Sequence, residues 1–90
     1  MIRPNILTKY KIETNQYSEN ILISSKCNAI TFLNVGTTNV LVNNITIIPN
    51  ANLSIQGNAN EIDVTEYRLD FGINTGPDGN LVQVIKKLNF

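Results

Sequence analysis

Clusters of Gly, Pro and Asn interrupt this chain every eight to twelve residues, and the stretches between them alternate apolar with polar side chains. Segments of that length hold a strand but not three turns of helix, so the punctuation restricts the chain to an all-β architecture. Residue choice agrees. Thirteen Ile, six Val and eight Thr stand against three Ala, a bias toward branched side chains that suit a pleated surface and lose freedom in a helix. At 90 residues there is room for one domain and one modest core. The expectation is a compact single-domain β-sandwich or jelly-roll-like barrel of about 7–8 short, mainly antiparallel strands, with residues 1–8 as an extended N-terminal arm and 9–90 as the sandwich.

Along the chain, residues 9–14 read as a first strand with Tyr10 and Ile12 on the core face and Lys9, Lys11 and Glu13 on the other, an edge protected by lysines. A second strand over 18–24 centres on Ile21 and Ile23. A third over 29–35 sends Ile30 and Phe32 to one face. The sharpest local expectation is a hairpin around Asn43-Asn44. With those two residues as its loop, Val42 lies opposite Ile45 and Val40 opposite Ile47, and Asn tolerates the positive φ that a type I′ turn requires. Pro49-Asn50 makes the next turn, before a short strand carrying Leu53 and Ile55. From Glu61 onward Ile62 and Val64 fall on even positions but Tyr67, Leu69 and Phe71 on odd ones, so a bulge or a bend is expected near Thr65-Glu66. The last strand holds Val82, Val84 and Leu88 in one phase, and Lys86-Lys87 mark it as an edge.

The inventory removes whole classes of function. Without His there is no general base that works near neutral pH without a large pKa shift, no Ser-His or Cys-His nucleophile pair, and none of the commonest transition-metal ligand. A non-enzymatic protein without cofactor or metal is the expectation. Cys27 has no partner for an intramolecular disulfide and reads as a small buried apolar residue. Seven basic and seven acidic residues cancel, which removes the field that nucleic acid or an anionic membrane surface would attract. No apolar run exceeds three residues, and the start has no secretory apolar stretch, which points to assembly in the cytoplasm.

Weaker signals have plain explanations. Asn44-Ile45-Thr46 and Asn52-Leu53-Ser54 match the glycosylation pattern, but fifteen Asn and twelve Ser plus Thr in this chain produce about two such matches by chance. Glu61, Asp63, Glu66 and Asp70 against Arg68 leave a local charge of −3. Glu61 and Asp63 could serve a hard cation, but a solvated face opposite Ile62 and Val64 already explains their spacing. As a glycosidase acid and base the same carboxylates would lack depth in so short a chain.

One resemblance adds to this reading. The stretch FLNVGTTNVLVNNITIIPNANLSIQGNANEIDVTEYRLDF (residues 32–71), followed by GNLVQVIKKLNF (79–90), resembles a pattern in small virion proteins of tailed bacteriophages, crAss-like phages included. An Asn-x-Gly-Thr turn precedes a Val-rich hairpin, then come a Pro turn, an Asn-rich loop, an acidic strand running into Tyr and Phe, and a basic last strand. Asn50 departs from the Gly that commonly follows the turn Pro, although Asn supports the same backbone geometry. The resemblance implies a virion structural protein: a capsid decoration or head-fibre component, assembled in the host cytoplasm, whose partner is the major capsid protein or another virion protein. A homo-oligomer or multi-copy assembly fits that role, with protein contacts expected at Ile2, Ile6 and Leu7 of the arm and at Leu41 and Ile48 on the far side of the hairpin. Two alternatives stay open: a receptor- or glycan-binding fibre module using Tyr17 or Phe90, and a small cytosolic inhibitor or adaptor.

Overall fold

The computed structural model describes residues 9–58, 61–72 and 79–89. Eight strands fill them: β1 (Tyr10–Tyr17), β2 (Ile21–Ser24), β3 (Ala29–Asn34), β4 (Val40–Val42), β5 (Ile45–Ile47), β6 (Asn52–Gln56), β7 (Glu66–Asp70) and β8 (Val82–Asn89). They form two four-stranded antiparallel sheets, β1-β8-β3-β6 and β2-β7-β4-β5. First pairs with eighth, second with seventh, third with sixth and fourth with fifth. The chain thus behaves as one long hairpin bent at Asn43-Asn44, whose successive rungs fall in alternate sheets, which is the jelly-roll winding.

The central hairpin forms as its residues dictate. Asn43 and Asn44 take φ of 47° and 70°, the two left-handed positions of a type I′ turn. Val40 faces Ile47 and Val42 faces Ile45. Asn43 also ties the turn to β7: its side chain donates to the carbonyl of Glu66 and accepts from the amide of Arg68 at 2.8 Å. Asn50, after Pro49, has φ 68°, so Asn meets the turn's demand where Gly would also serve.

Between the sheets, Ile30, Phe32, Val82 and Val84 meet Ile23, Val40, Val42, Ile47, Tyr67, Leu69 and Phe71 in one buried cluster that also takes in Cys27. Phe32 and Tyr67 join the sheets with ring centroids 5.1 Å apart at 60°, a tilted geometry that aromatic quadrupoles favour. The most deeply buried polar side chain among those described is that of Asn34. Asn34 has no exposed surface, and its amide donates to the carbonyls of Thr38 (2.8 Å) and Ile47 (2.9 Å) while its oxygen accepts from the amide of Gly36 (3.1 Å). Every hydrogen-bonding direction that matters on that side chain is therefore filled.

Three expectations are corrected. The last strand is no edge: β8 lies between β1 and β3. Lys86 shares a face with Ile30 and reaches the carbonyl of Ser24 at 2.8 Å, joining the two sheets, while the Lys87 ammonium lies 4.9 Å from the Tyr10 ring centre. Strand β1 is an edge, as expected, but its faces are reversed. Pairing of Tyr17 with Val82 and Asn15 with Val84 turns the odd residues inward, so Tyr10 and Ile12 stand 58 % and 55 % exposed on the outer face. Finally, no phase change occurs near Thr65-Glu66. Asp63 turns inward in the same odd phase as Tyr67, Leu69 and Phe71, and Ile62 and Val64 point out. The expected arm at residues 1–8 lies outside the described residues.

Candidate interaction surface

At one end of the sandwich, two buried polar side chains shape the segment that links β6 to β7. The Ser25 hydroxyl lies 2.8 Å from the Asp63 carbonyl and 2.6 Å from that of Thr65, and its backbone amide also donates to Thr65. Asn28 has two amide hydrogens and directs one to the Asn58 carbonyl and the other to that of Glu61. Cys27 and Asp63 exchange backbone hydrogen bonds as an isolated antiparallel bridge. Glu61 accepts from the Asn58 amide at 2.7 Å, closing the base of the loop.

The Asp63 carboxylate completes the anchor, with one oxygen accepting from the Thr65 amide at 2.8 Å and the other from the Tyr67 hydroxyl. Burial opposes its charge, but the hydrogen bonds from Thr65, Tyr67 and Ser25 outweigh that effect and hold the carboxyl below its usual range. The Tyr67 hydroxyl, buried and donating to Asp63, is pushed up to about 12. Burial raises the Cys27 thiol, with Lys86 acting against the shift, so this cysteine is held as an unreactive thiol.

These anchors work on the inward side of the segment, and the outward side carries Ile62 and Val64, 67 % and 74 % exposed, the most exposed large apolar residues among those described. Beside them lies an open cleft of about 360 Å³ lined by Ile55, Gln56, Gly57, Glu61, Ile62 and Tyr67 among others. Two aliphatic knobs on a loop fixed from beneath lose little freedom when a partner covers them, so their burial is converted to affinity with small ordering loss.

Of the expected contact residues, Leu41 is half-buried on the outer face of β4, beside Asp70 and Thr46. Ile48, just past β5, is 58 % exposed. Leu22 is also exposed on that sheet, opposite Arg68. Ile2, Ile6 and Leu7 lie outside the described residues. Tyr17 is half-buried against the core, and Phe90 falls outside the described residues. Both Glu61 and Asp63, raised as cation ligands, use carboxylate oxygens as acceptors within the loop, and no group of three His, Cys, Asp or Glu side chains that could hold a metal occurs among the described residues.

Alternation alone puts Ile62 and Val64 inside, opposite a solvated Glu61 and Asp63 face, whereas both stand exposed. The signal against it is the shared odd parity of Asp63 with Tyr67, Leu69 and Phe71, which becomes decisive because the Thr65 amide and the Tyr67 hydroxyl satisfy the carboxylate. Comparison with family models, with curated proteins and with solved structures found no match to the chain.

Proposed function

We propose that this chain is a non-enzymatic structural protein of a tailed-phage particle, an auxiliary or decoration component that binds the capsid surface or a capsid-attached fibre, with Ile62 and Val64 as its main contact. The observation that carries the contact is the 61–65 loop, in which buried Ser25, Asn28 and Tyr67 hold two exposed aliphatic side chains in place. The particle assignment draws on the resemblance of residues 32–71 and 79–90, and a jelly-roll module is a form that viral shells use repeatedly. Anchored apolar side chains ringed by Glu61 and Glu66 suit a partner pocket with an apolar floor and a cationic rim.

Mass spectrometry of purified particles tests the assignment. The chain should co-purify with the major capsid protein, in hundreds of copies for a shell decoration or in about a dozen for a vertex component. Its absence from particles, with recovery of a host enzyme in pull-downs from infected cells, would assign it instead to the adaptor class. An Ile62→Ser, Val64→Ser double variant should keep its melting temperature, because both side chains are solvated, yet lose most particle incorporation.

A further inference from the structure

We infer that β1 is a self-association edge, pairing antiparallel with β1 of a second copy across a two-fold axis at Ile12, so that two four-stranded sheets become one of eight strands. β1 is the longest of the four edge strands, with eight residues against four in β2, three in β5 and five in β6. In an antiparallel pair alternate residues direct their N–H and C=O groups away from the partner, and among the described strands none lies on the side of β1 opposite β8, where a row of such groups points. On its outer face Tyr10 and Ile12 are more than half exposed, which is costly for an isolated edge and useful for a paired one.

The charges select the register. When both outer faces lie on one side of the joined sheet, the axis passes through a residue and side chains of like parity oppose each other. An axis at Lys11 sets lysine against lysine, and one at Glu13 sets glutamate against glutamate. At Tyr10 it sets Lys9 against Lys11. At Thr14 and at Asn15 the only opposite charges that meet involve Lys9 or Glu19, which lie outside β1. Only at Ile12 does Lys11 of each copy oppose Glu13 of the other with no like charges opposed. Within each copy Glu13 already faces Lys86, so the joined sheet carries an alternating row Lys86, Glu13, Lys11 across the junction. On the outer face Ile12 meets Ile12 of the second copy, flanked on each side by Lys87, and Tyr10 falls opposite Thr14. A closed two-fold contact uses up both edges and stops at the dimer. The pairing is independent of what the 61–65 loop binds.

The test uses the full chain in sedimentation equilibrium at about 100 μM, where a micromolar association is nearly complete. The expected mass is twice that of the 10.0 kDa chain. Position 12 opposes itself only in this register, so Ile12→Lys and Ile12→Asp should each be monomeric, while an equal mixture of the two should recover the doubled mass. Circular dichroism melts of the single variants check that the fold survives. A monomeric parent chain overturns the proposal, as do single variants that remain dimeric or a mixture that stays monomeric.

Discussion

Replacing Asn34 by Ala tests whether the polar group inside the sandwich is structural. The substitution removes both donations to Thr38 and Ile47 and the acceptance from Gly36, three bonds at about 1 kcal/mol net each, and leaves the Ile47 carbonyl without this partner in the interior. A loss of about 3 kcal/mol is a large share of the roughly 5–15 kcal/mol that holds a domain together, and for one of this size it lowers Tm by roughly 12–24 °C. Asn34→Asp sharpens the test because it changes no volume. The carboxyl keeps an acceptor for Gly36 but turns oxygen toward two carbonyl oxygens, so only its protonated form fits, and then with one donor in place of two. Its folded pKa is therefore raised, and the variant is most stable below the ordinary carboxylate value of about 4, losing stability as pH rises through the folded value. Urea unfolding followed by circular dichroism at pH 4 and pH 7 measures both. An Asn34→Ala chain within about 0.5 kcal/mol of the parent, or an Asp variant indifferent to pH, would refute the role assigned to this side chain.

The hairpin turn predicts opposite signs for neighbouring substitutions. Asn44→Gly relieves a φ of 70° and should stabilise by a few tenths to about 1 kcal/mol, whereas Asn43→Gly also breaks the bonds to Glu66 and Arg68 and should destabilise by about 1–2 kcal/mol in thermal melts. The Asp63–Tyr67 bond predicts a pH profile. Asp63, with its folded pKa lowered from 3.8, contributes stability above that value that is lost as pH falls through the folded one; Tyr67, raised from 10.0 to about 12, contributes below 10 and loses it as pH climbs through the folded value. Tyr67→Phe should cost about 1.5–3 kcal/mol at pH 7 and flatten the alkaline side of the profile; an unchanged alkaline limb would show that the hydroxyl contributes nothing.

How much of this was legible depends on whether a feature is local. The 40–47 hairpin follows from two Asn residues between β-branched arms, and the inward phases of β3, β6 and β8 follow from alternation, because Ile30 with Phe32, Leu53 with Ile55, and Val82 with Val84 and Leu88 each share one parity. Alternation gives two faces, though, and does not say which meets the core. In β1 the choice is made by register with β8, where Tyr17 and Asn15 lie beside the buried Val82 and Val84. In the 61–65 segment it is made by hydrogen bonds from residues as far away as Ser25, which let a carboxylate occupy the side that Ile62 and Val64 would otherwise take. Strand order was beyond reach for the same reason: nothing local in Lys86 or Lys87 records that β1 and β3 lie on either side of them.

The central place of β8 bears on how the chain is made. During synthesis the strands emerge in numerical order, and the rungs β4 with β5, β3 with β6 and β2 with β7 can close as their residues appear. The outermost rung cannot. Until residues 82–89 are released, β1 has no partner among the described strands, β3 has one open side, and the interior lacks Val82 and Val84. The two longest strands thus join last, across the greatest sequence separation in the fold, where loop closure is slowest. A growing chain is left with two unsatisfied strand edges until residues 82–89 arrive to fill the gap between them.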